Sequence, residues 1–432
     1  MAEMGYKPED SDWIDKLVMT TPLANTHDHT YSEAVRVESR LDFTILFDNY
    51  ASGVFVRMGM TWEELARIRE QSLGAREKWE IVAPYWRQAR LTGVLRAQVH
   101  TIRDIFGYDD LSRSTVVPIS EEIRRTNRPG RSYTILKGTA NLHHCQIQSI
   151  QGSLFPVDRA DEMPGFALFD ILVNGLIQGC DIAVLEHYGG KSINSLDNYV
   201  DEVDSYLASV SSRAVALKSY NAYFRALDYR GVDKADAERA FDRLNKDRPT
   251  QEYRTPEETR PFEDYMFQHL AELAADYDLP FRVHVGFTQS MLRYSHATDF
   301  EPAIAANPRT RFILLHAGYP FMDETIALCM AHANLYADLG WIWQIDPLAS
   351  EAFIRQFVTS VGPQQLLVFG GDTMYAEVTY GYSRPARLGL ARAISSVLQD
   401  GLIDEKDVEP LVRDLCFENA RTCFRLEGKF GL

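Results

Sequence analysis

The sequence predicts an α/β chain folded as a (β/α)8 TIM barrel, with a large helical insertion, or cap, after strand 1. Three observations lead there. Short apolar runs end in residues that carry chemistry, as in PLANTHDH, AVALKSY, FRVHVGF, FILLHAGYP and LLVFGGDT. From Gly130 onward such runs alternate with helical patterns. His284 and His316 stand 32 residues apart, close to the ~31 of one βα unit when roughly 250 residues make eight. Between the first run and the others, residues 33–130 take on a helical character throughout. A chain of 432 residues that is 45% hydrophobic has the material for one barrel with an insertion, or for two or three domains. The strand–helix rhythm favours the barrel.

The N-terminal segment, residues 1–32, holds the first strand at 22–29. The cap, residues 33–130, contains Thr61-x-x-Glu64, a capping box that starts a helix. It also carries Trp86, Ala89, Gly93, Val94 and Ala97 at helical spacing. It is too long for an ordinary loop and too apolar to stay disordered, which places it over the barrel mouth. The plainer alternative is a helical layer used only for packing or oligomerisation. Residues 131–432 supply the remainder of the barrel and the C-terminal helices. Strands 2 and 3 are expected at Leu142–Ile150 and Asp181–Leu185, and strand 4 at Ala214–Lys218. A long helical region, Asp233–Tyr277, leads to strand 5 at Phe281–Val285. Strands 6, 7 and 8 follow at Arg311–Leu315, Asn334–Ala337 and Leu366–Phe369. Pro385, a favoured first-turn residue, opens a closing helix whose apolar face is Leu390, Ile394, Val397 and Leu398, and Gly401 ends it.

Charge and composition exclude several function classes. A net charge of −16 argues against nucleic acid or an anionic membrane surface as partner. No uninterrupted apolar stretch is long enough to span a bilayer, and the N-terminus lacks the charge and apolar pattern of a signal peptide. The five cysteines are scattered, without CxxC spacing, and read as reduced thiols of a cytoplasmic protein. The expected partner is a small-molecule substrate, with self-association into a homo-oligomer.

His27, His29, Lys218, His284, His316 and Asp372 are the candidate site. Residues at strand ends converge on one mouth only in a parallel barrel. His27 and His29, two apart, face the same side of a strand while Asp28 faces away. A lone histidine ending a strand is more often a hydrogen-bonded core residue than a ligand. Four of them with one aspartate point to a metal centre, and imidazole plus carboxylate suits zinc better than calcium. Lys218 is unusual because a bare ammonium is costly inside a barrel. Either it reaches solvent at the strand end, or it reacts with carbon dioxide. The resulting carbamate is an anion that bridges two cations, and neighbouring cations favour the deprotonated amine that the reaction requires.

With these residues in place, the chain resembles the amidohydrolase superfamily of metal-dependent hydrolases. The strings KSYNAYFRAL, HVGFTQ, LLHAGYPFMDE, NLYADLGW, FGGDTMYAE and CFENARTCFRL are similar to its amidohydrolase-2 branch, including the domain fused to some glutamine synthetase-like proteins. The resemblance covers the first strand and the body from Lys218 to the C-terminus, and is loose over residues 33–210. It implies one or two divalent ions per chain, most plausibly zinc. His27, His29 and Asp372 would hold the first, His284 and His316 the second, and carboxylated Lys218 would bridge them. It further implies hydrolysis of an amide or other C–N bond by a metal-activated hydroxide, with Asp372 as general base and then acid.

If Lys218 stays unmodified, one ion on His27, His29, His284 and Asp372 remains, with His316 orienting water or substrate. That arrangement resembles mononuclear decarboxylases and isomerases of the same superfamily. A non-catalytic binding barrel is a third reading, but no ligand position is missing. For the substrate, Tyr223 and Arg225 follow strand 4, where an arginine fork would clamp a carboxylate. Trp343, beside Trp341, would wall the pocket after strand 7, and His187 would donate from the end of strand 3. The fused-domain resemblance also implies a γ-glutamyl or similar carboxylate-bearing amide.

Overall fold

The computed structural model describes residues 12–148, 154–159, 161–287, 291–294 and 296–432. Its centre is one parallel sheet of eight strands in chain order. They are β1 (Leu23–Asp28), β2 (Leu142–Ile147), β3 (Ala167–Leu172), β4 (Ala214–Ser219), β5 (Phe281–His284), β6 (Phe312–Leu315), β7 (Leu335–Asp338) and β8 (Leu366–Leu367). The last strand returns beside the first. Thr26 N–H donates to the Phe369 carbonyl at 2.9 Å and Asp372 N–H to the His27 carbonyl at 3.0 Å, which nearly closes the barrel.

Seven of the expected strands coincide with observed ones to within a few residues, although Ser149 and Ile150 lie outside the described residues. Strand 3 is the correction. Asp181–Leu185 is not a strand: Ile182–Gly189 is a helix ended by Gly190 in the left-handed conformation, and the strand is Ala167–Leu172. Both stretches are short and apolar, and periodicity alone does not separate them. A second correction concerns Pro385, which lies inside the long helix Ala376–Gln399 rather than at its start.

The barrel interior is built in three layers. At the bottom, Ala24, Leu168, Ala216, Ile313 and Leu367 pack with Ala420, Phe424 and Leu426 of the C-terminal segment. In the middle Arg282 of β5, fully buried, pairs with Asp170 of β3 at 2.9 Å and lies 3.6 Å from Asp338 of β7. Thr26 Oγ1 donates to Asp338 at 2.7 Å, so each buried charge faces an opposite one and makes at least one hydrogen bond, with Arg282 Nε and Asp170 Oδ1 left unpartnered among the described residues. The top layer holds the candidate site. Outside, Phe281 stacks on Phe267 of the helix Arg260–Asp276 at 5.1 Å. Inward polar and outward apolar positions thus alternate along β5.

Between β1 and β2 the chain runs through helices at Glu33–Glu38, Tyr50–Arg57, Trp62–Arg67, Ala75–Ala89, Gly93–Asp104 and Val116–Thr126. The capping box at Thr61 and Glu64 is formed. Phe43, Phe47, Phe55, Trp79 and Trp86 build the interior of this region, continuous with the main core. It is fastened to the helix Ala376–Gln399, where buried Arg36 grips Glu377 through two bonds of 3.1 and 2.7 Å.

Candidate metal centre

All six residues singled out in the sequence, His27, His29, Lys218, His284, His316 and Asp372, line one cavity of about 290 Å³ at the C-terminal ends of the strands. Each is aimed there by a local device. The β1–β2 ladder is irregular between Asn25 and Asp28, so Thr26 and His27 both reach the interior, as a bulge permits. Asp28 faces outward, where it accepts from Asn25 at 2.5 Å, Thr379 at 3.0 Å and the His29 backbone at 2.8 Å. Burial pushes its carboxyl up to about 6, against these bonds. Asn25 also accepts from Gly371 N–H at 3.0 Å, so the β1 bulge and the loop carrying Asp372 are held by one network.

His316 and Asp372 adopt positive φ, 65° and 49°. Such backbone is sparsely populated by non-glycine residues and clusters at functional sites. The His316 ring stacks on Trp341 at 4.7 Å, and space for it exists only because residue 340 is glycine. A Cβ there would lie 2.5 Å from His316 Nδ1.

The electrostatics fit a metal. Burial and the nearby Lys218 drive His284 down to about 3 and His27 well below its ordinary value. Burial and His284 do the same to His316. These imidazoles are therefore neutral and able to donate lone pairs. His29 is the exception, since burial is outweighed by its bond to Asp372, which raises its pKa. Its Nδ1 contacts the Gln148 carbonyl at 3.0 Å, which orients Nε2 inward. Burial opposes ionisation of Asp372, but His27 and His29, 3.3 and 2.9 Å from Oδ1, hold its carboxyl well below the usual range.

Both ring nitrogens of His316 and Nδ1 of His27 are buried without a hydrogen-bond partner. An unsatisfied buried polar atom costs about 1–3 kcal/mol, so these donors fit a metal ion as partner. One atom each from His27, His316 and Asp372 lies within 4.8 Å of the others, a donor set of the kind that holds zinc and similar ions. The Lys218 backbone carbonyl accepts from Val173 N–H at 2.9 Å, while its amine, buried among the imidazoles, makes no hydrogen bond or ion pair with a described residue. Burial and Arg282 bring its pKa down to about 7, against the pull of Asp372 and Asp170.

The insertion supplies a member that the sequence did not reveal. Tyr50, at the start of the helix Tyr50–Arg57, donates its hydroxyl to Asp372 Oδ2 at 2.5 Å, and Asn49 donates to the Asp372 carbonyl at 2.9 Å. Neither sits at a strand end or in a spacing that marks a ligand, so only the folded chain brings them in.

The substrate residues expected from sequence divide. Tyr223 lines the cavity, 4.9 Å from the His284 ring. Arg225 does not: it is buried in the body of the protein, bonded to Glu263 at 3.1 Å and Asp264 at 2.6 Å. Nor does Trp343, whose buried Nε1 donates to the Val368 carbonyl at 2.7 Å. Trp341 is the residue that backs the site. His187 is exposed on the helix Ile182–Gly189, outside the cavity lining, because the expected third strand is helical.

The Arg225 cluster makes a prediction of its own. Burial raises Glu263 to about 7 against the pull of Arg225. A carboxyl whose folded pKa is raised contributes stability below its unfolded pKa and loses it as pH climbs through the folded value. Unfolding titrations from pH 4 to 8 are expected to show Glu263→Gln gaining about 1–3 kcal/mol relative to wild type. A pH-independent difference would contradict this.

The sequence profile of the amidohydrolase family matches residues 210–426. Protein fluG of Emericella nidulans is 24% identical over 221 residues, 49% of this chain and 26% of that protein, so the match spans about a quarter of its length. Among solved structures, glucuronate isomerase from Caulobacter crescentus superposes with a TM-score of 0.77 at 15% identity, covering 98% of this chain and 96% of that one. Uronate isomerase from Thermotoga maritima gives 0.75 at 14% identity, covering 98% and 100%. These likenesses extend the shared fold to the insertion. Among the described residues, no helix is long and apolar enough to cross a membrane.

Proposed function

The chain belongs to the amidohydrolase family and is an enzyme of that superfamily, and from this premise we propose that it hydrolyses an amide or other C–N bond of a small substrate at a carboxyl-type carbon. His27, His29 and Asp372 would hold one divalent ion, most plausibly zinc, and His284 and His316 a second, with carboxylated Lys218 between them. The observation that carries this reading is Lys218 itself. It is a buried amine with a pKa near 7 and no described partner, in the same cavity as four imidazoles. A neutral amine is the form that adds carbon dioxide. A mononuclear site would leave this lysine outside the ligand set.

A bound divalent ion supplies Lewis acidity, polarising the carbonyl and drawing the pKa of water toward neutrality. The chain's own groups do the rest. Asp372, kept anionic by His27 and His29, accepts a proton from the attacking water. It then delivers that proton to the leaving nitrogen as the C–N bond breaks and the C–O bond forms. Tyr50 fixes the carboxylate and Asn49 the backbone of Asp372 for both transfers, and neutral His316 stands against Trp341.

Metal analysis of protein as purified, with mass spectrometry under native conditions, tests the proposal. The expected result is two ions per chain and a mass increment of one carbon dioxide on Lys218. Chelation should abolish turnover, and zinc should restore it. One ion with an unmodified lysine, or turnover by metal-free protein, would overturn it in favour of mononuclear or metal-independent chemistry.

A further inference from the structure

We propose that the substrate carries an uncharged, flat apolar group, aryl or similar, and no carboxylate distal to the scissile bond. The inference rests on the hydrolase reading for the identity of the reacting carbonyl. The cavity has two unlike halves. Its floor is the ligand set. The rest of its described lining is Tyr50, Tyr220, Tyr223, Phe224 and Met374 with the amides of Asn49 and Gln148. Three of these rings stand together as one wall: Tyr220 and Tyr223 lie perpendicular at 6.0 Å, and Phe224 sits 6.3 Å from Tyr220 and 6.4 Å from Tyr223. Tyr223 carries this wall down to the His284 ring. An aromatic group inserted here meets ring faces and edges, the geometry aromatic pairs favour.

Among the described residues, no arginine lines the cavity. Lys218 is the only lysine among the described lining residues and lies at the floor with the ligands. Arg225, the natural clamp on this loop, is engaged by Glu263 and Asp264. Behind the wall the charge is negative, because Tyr220 donates its hydroxyl to Glu252 at 2.7 Å. A distal carboxylate would lose its water against these rings and meet no cationic side chain of the described residues there, and the net charge of −16 opposes its approach. The volume of about 290 Å³ is at the small end for ligand pockets, so a single ring beside the reacting carbonyl is its scale. This departs from the carboxylate-bearing substrate expected from the sequence, which rested on Arg225 as a clamp and on the fused-domain resemblance.

Binding of two hydroxamates of matched length to zinc-loaded enzyme, by calorimetry, tests this without requiring turnover. 3-Phenylpropanohydroxamate presents a ring to the wall, and glutaric monohydroxamate presents a carboxylate. The aryl probe is expected to bind about 100-fold more tightly or better, and Phe224→Arg to narrow or invert that ratio. Equal or tighter binding of the carboxylate probe, or no binding of either, overturns the proposal. The corresponding amides, assayed in parallel, separate the two readings. If neither amide is hydrolysed while the aryl hydroxamate binds selectively, the hydrolase reading fails and the pocket assignment stands. If the carboxylated amide is hydrolysed preferentially, the reverse holds.

Discussion

Asp372→Asn is expected to lower kcat by about 10²–10⁴-fold, the range associated with losing a positioned proton-transfer group, while the fold is retained. The substitution preserves the shape of the side chain, and the backbone anchor from Asn49 does not depend on the carboxylate. Its amide oxygen still accepts from Tyr50. What it loses is the charge that His27 and His29 stabilise and the capacity to take a proton from water. Steady-state kinetics on a variant with measured metal content and a wild-type circular dichroism spectrum is the check. A kcat within a few-fold of wild type, at equal metal content, would remove Asp372 from the proton path.

Lys218→Met should reduce activity to below about 1% of wild type, because a bridging anion is lost together with the second ion it helps to hold. Stability should move the opposite way. Methionine fills similar volume without an amine to desolvate. The sign follows from the lysine's pKa, lowered to about 7 in the fold. A depressed amine makes the folded state the weaker proton binder, so wild-type apoprotein loses stability as pH falls toward 7 and stays at that lower level beneath it. The variant's melting temperature should therefore exceed that of wild-type apoprotein most clearly near pH 6, and the gap should shrink above pH 8. Full activity in the methionine variant would eliminate the carbamate.

The six residues of the centre were legible because each closes an apolar run, and a parallel barrel leaves strand ends nowhere else to converge. Their aim was less legible. His27 faces inward through an irregular ladder and His316 through a left-handed backbone, and neither follows from alternation. The third strand was misplaced because FALFDIL hides an inward Asp170 that only Arg282, far along the chain, accounts for. DIAVLEHY offered an equally apolar run and folds as a helix. Arg225 looked like a substrate clamp from its position after strand 4. Nothing local announced that Glu263 and Asp264 would claim it. Tyr50 was invisible for the converse reason, since its partner lies 322 positions away.

That long-range latch bears on the order in which the enzyme comes into being. The imidazoles at the ends of β1, β5 and β6 belong to the barrel itself, so a chain with its barrel formed and the residues 33–126 undocked would already hold most of a metal site. It would lack the hydroxyl and amide that fasten Asp372. In such a chain the imidazoles stand in place before the groups that position Asp372.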